Sequence, residues 1–463
     1  MLRKFERKDA WKNNYNRSPE KAERIKLKQI TLWRSLGYLS LLLACFIGLP
    51  EDVLAATTNS AEISFSIDTL FVLTQAFLVF WMAAGFAMLE AGMVRAKNVT
   101  SILLKNICLF AVAGFAFFLF GYNLMFEGVD GGWIGSFAFW QHNDAAALAG
   151  DVSSGISSSA LWLFQMVFVA TAASIVSGTL AERIRLLPFL AFVFVLTGLL
   201  YPIQGAWTWG GGWLSDLGFH DFAGSTIVHS VGGWAALTGA LILGPRVDKF
   251  RKGKARLIPP SSLPLATLGT FILWLGWLGF NGGSQLAISS VEDTIAVSNI
   301  YANTMLAPIG GVLAALALTC AKYGKADLSM ILNGALAGLV SITANPVTVS
   351  PFEAVAIGAV GGAIVVFAVP ALERLKIDDV VGAIPVHLLA GIWGTLIAGF
   401  THPDATLASQ LIGIGAIGVF SAALSMLTWF GLRQLVKLRP SSDEEKIGLD
   451  HAELGVSAYP EFR

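Results

Sequence analysis

From residue 68 to residue 436 the chain is a succession of eleven apolar stretches separated by short polar breaks. They lie near 68–92, 100–126, 159–180, 186–204, 223–245, 262–287, 299–321, 329–346, 352–371, 380–400 and 410–436. Each is roughly the 20 residues that a helix needs to cross a hydrocarbon core. Backbone polar groups in lipid must be satisfied within the segment, so the expected fold is an all-α polytopic membrane protein. Only 13% of the residues are charged, against about 25% in soluble domains. Forty-eight glycines fit helices that pack backbone to backbone.

The basic residues order these segments. Arg95 and Lys97 follow the first, Arg183 and Arg185 the third, and Arg246 to Arg256 the fifth. Lys322 and Lys325 follow the seventh, and Arg374 and Lys376 the ninth. Arg433, Lys437 and Arg439 end the eleventh, while the alternate loops, including the long 127–158 loop, hold no Lys or Arg. The positive-inside rule then puts the mature N-terminus outside and the C-terminus in the cytoplasm.

Residues 1–56 read as a leader. Eleven Lys/Arg precede a short apolar stretch, Leu36 to Leu49, and Val53 to Ala56 offers a small-residue cleavage site. This is a signal-peptide layout with a long basic n-region. An uncleaved anchor, an upstream start codon and a lipoprotein at Cys45 are the alternatives. The transporter domain is then 57–437 and a cytoplasmic tail 438–463. Net charge is zero, which gives no reason to expect nucleic acid as a partner. Cys45, Cys108 and Cys320 lie in apolar segments and supply neither a disulfide framework nor a metal cluster.

One pattern occurs twice: Asp, seven residues, His, three residues, Gly. The copies are Asp221, His229, Gly233 and Asp379, His387, Gly391. Ionisable side chains at membrane depth are costly and mark functional sites by default. The histidines fall on segments five and ten, which run in opposite directions. The chain therefore reads as an inverted repeat of five plus five helices with one extra, and such repeats place a substrate path at their interface.

Longer stretches carry a resemblance. Gly85 to Arg95, Phe164 and Gln165 with Phe168, Leu180 to Arg185, and Trp209 to Gly212 come in that order. Asp221 to His229, Trp277 with Gly279 to Ser284, Val386 with His387, and Gly448 to Phe462 complete the series. Together they resemble the ammonium transporter (Amt/Mep/Rh) superfamily, in its bacterial Amt-type branch, from residue 65 to 462. The resemblance implies homotrimers in which each eleven-helix subunit has its own pore for ammonium or its analogue methylammonium. It assigns Trp209, Ser284 and Phe168 to an extracellular ammonium site, Phe168 and Phe280 to a gate, and His229 and His387 to the pore. Phe164 and Trp277 support these. Asp221 is essential through the backbone it orders, or as a helix cap, whereas Asp379 is expected to be a cap alone and Glu90 a packing residue. The tail implies contacts between subunits and a P-II-type regulator at the cytoplasmic face, with Glu453, Leu454 and Gly455 standing where the usual pattern is Glu-His-Gly.

Chemistry agrees with these assignments. An indole face attracts a cation by about 0.5–2 kcal/mol, and a serine oxygen accepts an N–H bond that potassium cannot offer. On residues alone Trp209 reads as an interfacial belt aromatic, a lone Phe as core, and one buried His as structural. The expected function is uptake of ammonium as ammonia through an apolar pore in the plasma (inner) membrane, with no cofactor and no enzymatic step. A sensor, a neutral-gas channel of the Rh type and a membrane metalloenzyme are the rivals. A sensor would add a signalling domain, for which the 438–463 tail is short. Trp209 and Asn281 to Ser284 favour the Amt branch, and an enzyme would need three or four convergent ligands.

Overall fold

A computed structural model describes residues 60–462 of the chain. The leader reading of 1–56 and Cys45 lie outside the described residues. Among the described residues, ten helices are long and apolar enough to cross a membrane. They are α1 (Ser60–Met93), α2 (Ala96–Phe126), α3 (Ser158–Leu180), α4 (Leu186–Ala206), α5 (Ser225–Leu243), α6 (Leu263–Gly283) and α7 (Val291–Tyr323). After α8, which is Leu328–Ile342, come α9 (Pro351–Arg374), α10 (Ile384–Thr401) and α11 (Leu407–Leu435). Two short helices, α12 (Ser442–Ile447) and α13 (Leu449–Leu454), form the tail.

The eighth segment departs from expectation. Its helix has 15 residues, about 22 Å at 1.5 Å per residue, short of a hydrocarbon core of about 30 Å. The cause lies at its end, where a continuing helix would hold the carbonyls of Thr343 and Ala344. Instead they accept the N–H groups of Ala223 and Phe222 at 3.1 and 3.0 Å. The chain leaves the helix to support the strand of backbone that carries Asp221.

Contacts fix the relative direction of α5 and α10. The end of α5 meets the start of α10: the Arg183 guanidinium donates to Gly244 O at 2.8 Å and also to Asp378 O. The start of α5 meets the end of α10, where His220 stacks on His402 with ring centroids 3.7 Å apart. Gln410 locks that end by accepting from His220 N and donating to His220 O. The two helices are therefore antiparallel, as the duplicated motif requires of an inverted repeat.

A buried charge cluster ties the loops at one end. Glu182 accepts from Arg95 N and Nε at 2.8 and 2.6 Å and lies 3.3 Å from Arg246. Arg246 grips Asp378 with Nε and Nη2 at 2.8 and 2.9 Å. Burial alone would raise the Asp378 carboxyl, but the Arg246 hydrogen bonds and the charge of Arg183 hold it well below the carboxylate range. A depressed carboxylate stabilises the fold at every pH above its unfolded value and ceases to do so on acidification through its own low value. Asp378→Asn leaves Arg246 with half its buried partner charge. Thermal unfolding in detergent should show a loss of about 3 kcal/mol or more, unchanged across about pH 6–8.

Candidate functional site

The site begins with two carboxylates that each close a helix start. Asp221 Oδ1 accepts from Gly224 N and Ser225 N at 3.1 and 2.7 Å, and Oδ2 from Thr226 N and Ile227 N at 2.8 and 2.9 Å. These are the N–H groups that an opening helix leaves without partners. Gly224 makes the approach with φ +103°, where a side chain would be strained. Asp379 repeats the arrangement with Gly382 N at 3.2 Å and Ile384 N at 2.8 Å, and adds the Thr179 hydroxyl of α3 at 3.0 Å. The cap expected of Asp379 is there, with a cross-helix tie besides.

Each cap is followed by a π-helical turn, Ser225–Ser230 in α5 and Ile384–Leu389 in α10, holding His229 and His387. The wider turn is a frequent feature of functional sites. The glycine that ends each motif lets the helices cross at backbone distance. A Cβ on Gly233 would stand 2.7 Å from Leu388 N, and one on Gly391 would meet Ser225 O and Ser230 Oγ. The histidines then face each other, Nδ1 to Nδ1 at 3.2 Å with ring centroids 5.2 Å apart. Both are buried.

On one side of the pair lies the aromatic column. The Trp277 ring stacks on His229 at 4.9 Å, and its Nε1 donates to Thr343 Oγ1 at 2.8 Å. Phe280 and Phe168 stack at 3.9 Å, with Phe280 5.3 Å from His229. Phe164 meets Phe168 at 4.7 Å. Above this stack is a cavity of about 260 Å³, lined by Phe164, Gln165, Phe168, Trp209 and Ser284 among others. Trp209 stands edge-on to Phe168 at 6.0 Å and donates from Nε1 to the Asp221 carbonyl at 3.0 Å. The Ser284 hydroxyl donates to Phe280 O at 2.9 Å, which leaves its lone pairs to accept from a guest. The Gln165 Oε1 atom is buried without a partner among the described residues and is a further acceptor; the sequence marked Gln165 as part of a motif but gave it no such role.

On the other side is a cavity of about 10 Å³, lined by Phe86, Glu90, Ser174, Asn333, Val381 and His387 among others. Glu90, expected to pack, is buried between helices and also lines this cavity. Its hydrogen bonds come from α2 and α3, 16 and 87 residues away, so nothing local marks them. The same end carries the tail: Asp450 caps α2 through Thr100 N and Ser101 N at 3.0 and 2.7 Å. Trp209, Phe168, Phe280, His229 and His387 thus form one chain of contacts, and Ser284 lines the same cavity as Trp209. A valine at Gly233 would force α5 and α10 apart and lengthen the 3.2 Å contact between the histidines. That variant should insert normally in membranes yet carry out any pore function at under about a tenth of the native rate, as a flux assay would show.

Residues 70–459 match the Ammonium Transporter Family. The ammonium transporter Amt2 of Archaeoglobus fulgidus is 40% identical over 442 residues, covering 89% of this chain and 92% of its own. The ammonium transporter Amt2 of Haloferax mediterranei is 40% identical over 436 residues, 88% and 93% of the two chains. Among solved structures, a protein titled Sensor Amt Protein superposes with TM-score 0.79 at 37% identity, over 85% of this chain and 99% of its own. Mep2 of Candida albicans superposes with TM-score 0.75 at 29% identity, over 86% and 92%. The chain belongs to the ammonium transporter family.

Proposed function

We propose that the protein takes up ammonium by stripping it of a proton at the Trp209 end and conducting ammonia past the histidine pair. The observation that carries this reading is the order of groups along one line. A polar-and-aromatic cavity comes first, then two phenyl rings in contact, then two facing imidazoles in an apolar surround. Ammonium is held by the Trp209 and Phe168 rings and by the lone pairs of Ser284 Oγ. The stacked Phe168 and Phe280 leave no gap at 3.9 Å, so passage needs ring motion and strips water from what passes.

A bare ion beyond that gate faces a penalty of several kcal/mol or more, whereas ammonia needs only hydrogen bonds. The histidine pair supplies them. A neutral imidazole has one donor and one acceptor nitrogen. If one Nδ1 donates to the other, the two Nε2 atoms are left as one acceptor and one donor. His229 Nε2 has no protein partner among the described residues, so it is available to ammonia in transit. The two roles interchange, without moving either ring, when the shared Nδ1 proton crosses while the donor Nε2 gives up its proton and the acceptor Nε2 takes one.

The Trp209 cavity faces outward and the Glu90 end faces the cytoplasm, in line with the basic loops. A homotrimer of pores in the plasma membrane, met by a P-II-type protein at the cytoplasmic face, completes the reading. The likeness to a protein titled Sensor Amt Protein supports a second reading, in which ammonium binding is signalled and conduction is slight.

Selectivity tests the central pair. His229→Asp with His387 intact should admit potassium, read as a potassium-evoked current across proteoliposomes; continued exclusion of potassium would remove the pair from the selectivity account. Trp209→Leu should weaken half-saturation for ammonium by about 2- to 30-fold, the range of a lost cation–π contact. Uptake kinetics equal to wild type would argue against a mouth site there.

A further inference from the structure

Glu90 is a buried carboxyl that the transport reading does not use, and it shares the small inner cavity with His387. About 10 Å³ is close to the least space that one water-sized molecule requires. Asn106 Nδ2 donates to Glu90 Oε2 at 2.7 Å. The Ser177 hydroxyl lies 2.6 Å from Glu90 Oε1 and 2.7 Å from Ser174 O, and both are in reach of its single proton. When Glu90 is ionised the hydroxyl donates to it. When Glu90 is protonated, the hydroxyl turns to Ser174 O and accepts from the carboxyl. The carboxyl can therefore gain or lose a proton with no heavy atom displaced.

The charged groups around it are few. Lys105 of α2 is buried, donates from Nζ to Ser101 Oγ at 2.7 Å, and lies 3.8 Å from Glu453 of the tail. Asp450 stands beside it on Ser101 N. His387 lines the same cavity as Glu90, and Asp379 is joined to Thr179, two residues from Ser177. Lys105 offsets the charge that Glu90 carries when ionised.

We propose that this cavity is the site at which ammonia regains its proton, with Glu90 as donor; the inference rests on the transport reading above. Ammonia leaving His387 takes the carboxyl proton: the Glu90 O–H bond breaks, and the nitrogen lone pair forms the fourth N–H bond. Ammonium and a carboxylate result. The carboxylate is held by Ser177 and Asn106 until it recovers a proton from water on the inner side. Product leaves as ammonium, which cannot return through the apolar pore.

The test is ammonium uptake into proteoliposomes at fixed external pH and varied lumenal pH, for wild type, Glu90→Gln, Glu90→Asp and Ser177→Ala. Wild type should titrate with lumenal pH. Glu90→Gln should lose about 10-fold or more in rate and its lumenal-pH dependence, while Glu90→Asp restores a sloped profile. Ser177→Ala, which removes a donor to the carboxylate, should move the midpoint to higher pH. A Glu90→Gln protein with native rate and native slope overturns the proposal. If that variant does not fold, an unmoved midpoint in Ser177→Ala overturns it instead. Wild-type protein that takes up no ammonium overturns the transport reading, and the donor role with it.

Discussion

Four backbone N–H groups converge on the Asp221 carboxylate, and the geometry of the candidate site is built outward from that point. A helix cannot begin at membrane depth with its N–H groups bare, because no water is present to satisfy them. One carboxylate answers all four and so fixes where α5 starts and how its first turn is wound. The same residue's backbone carbonyl receives the Trp209 indole N–H, so Trp209 and the turn that carries His229 are both positioned by one residue. Asp379 does the equivalent work for His387 with Ile384 N, Gly382 N and Thr179.

That arrangement explains why the repeated pattern has three members. The aspartate fixes the helix start, the histidine hangs from the π-helical turn that follows, and the glycine lets the partner helix in. Gly233 lies against Leu388, and Gly391 against Ser225 and Ser230, so each glycine opens space beside the other copy's histidine turn. Two helices held this close place two imidazoles in hydrogen-bond range, a distance that neither helix could set alone. In the proposed transport reading selection follows from cost. The groups before the phenyl pair favour a cation, and those after it favour a neutral molecule with hydrogen bonds to make. On that reading a proton is given up in between, and Glu90 is proposed to return it.

Much of this was legible in the sequence, for physical reasons. Apolar length and the placement of Arg and Lys are local properties, so ten of the eleven spans appear where the segments were read. The histidines stood out because an ionisable group in an apolar run is conspicuous, and because the run is repeated. The short α8 was not foreseen: Thr343 and Ala344 are spent on Ala223 and Phe222, over a hundred residues away in sequence. Glu90 was read as packing because its neighbours Ser177, Asn106 and Lys105 come from other helices. Asp450 looks like one more charge in a polar tail until it is found capping α2. What the sequence withholds in each case is a tertiary partner.

The central claim is that charge is separated from ammonia between Trp209 and His229. An ammonium pulse on proteoliposomes, with current and lumenal pH recorded together, tests it most directly. The account predicts an ammonium-specific signal that potassium at the same concentration does not evoke: a rise in lumenal pH without current where the stripped proton stays outside, or a current without that rise where the proton also crosses. Ammonium that changes neither current nor lumenal pH, with the protein folded in the membrane, would contradict the account and favour the sensor.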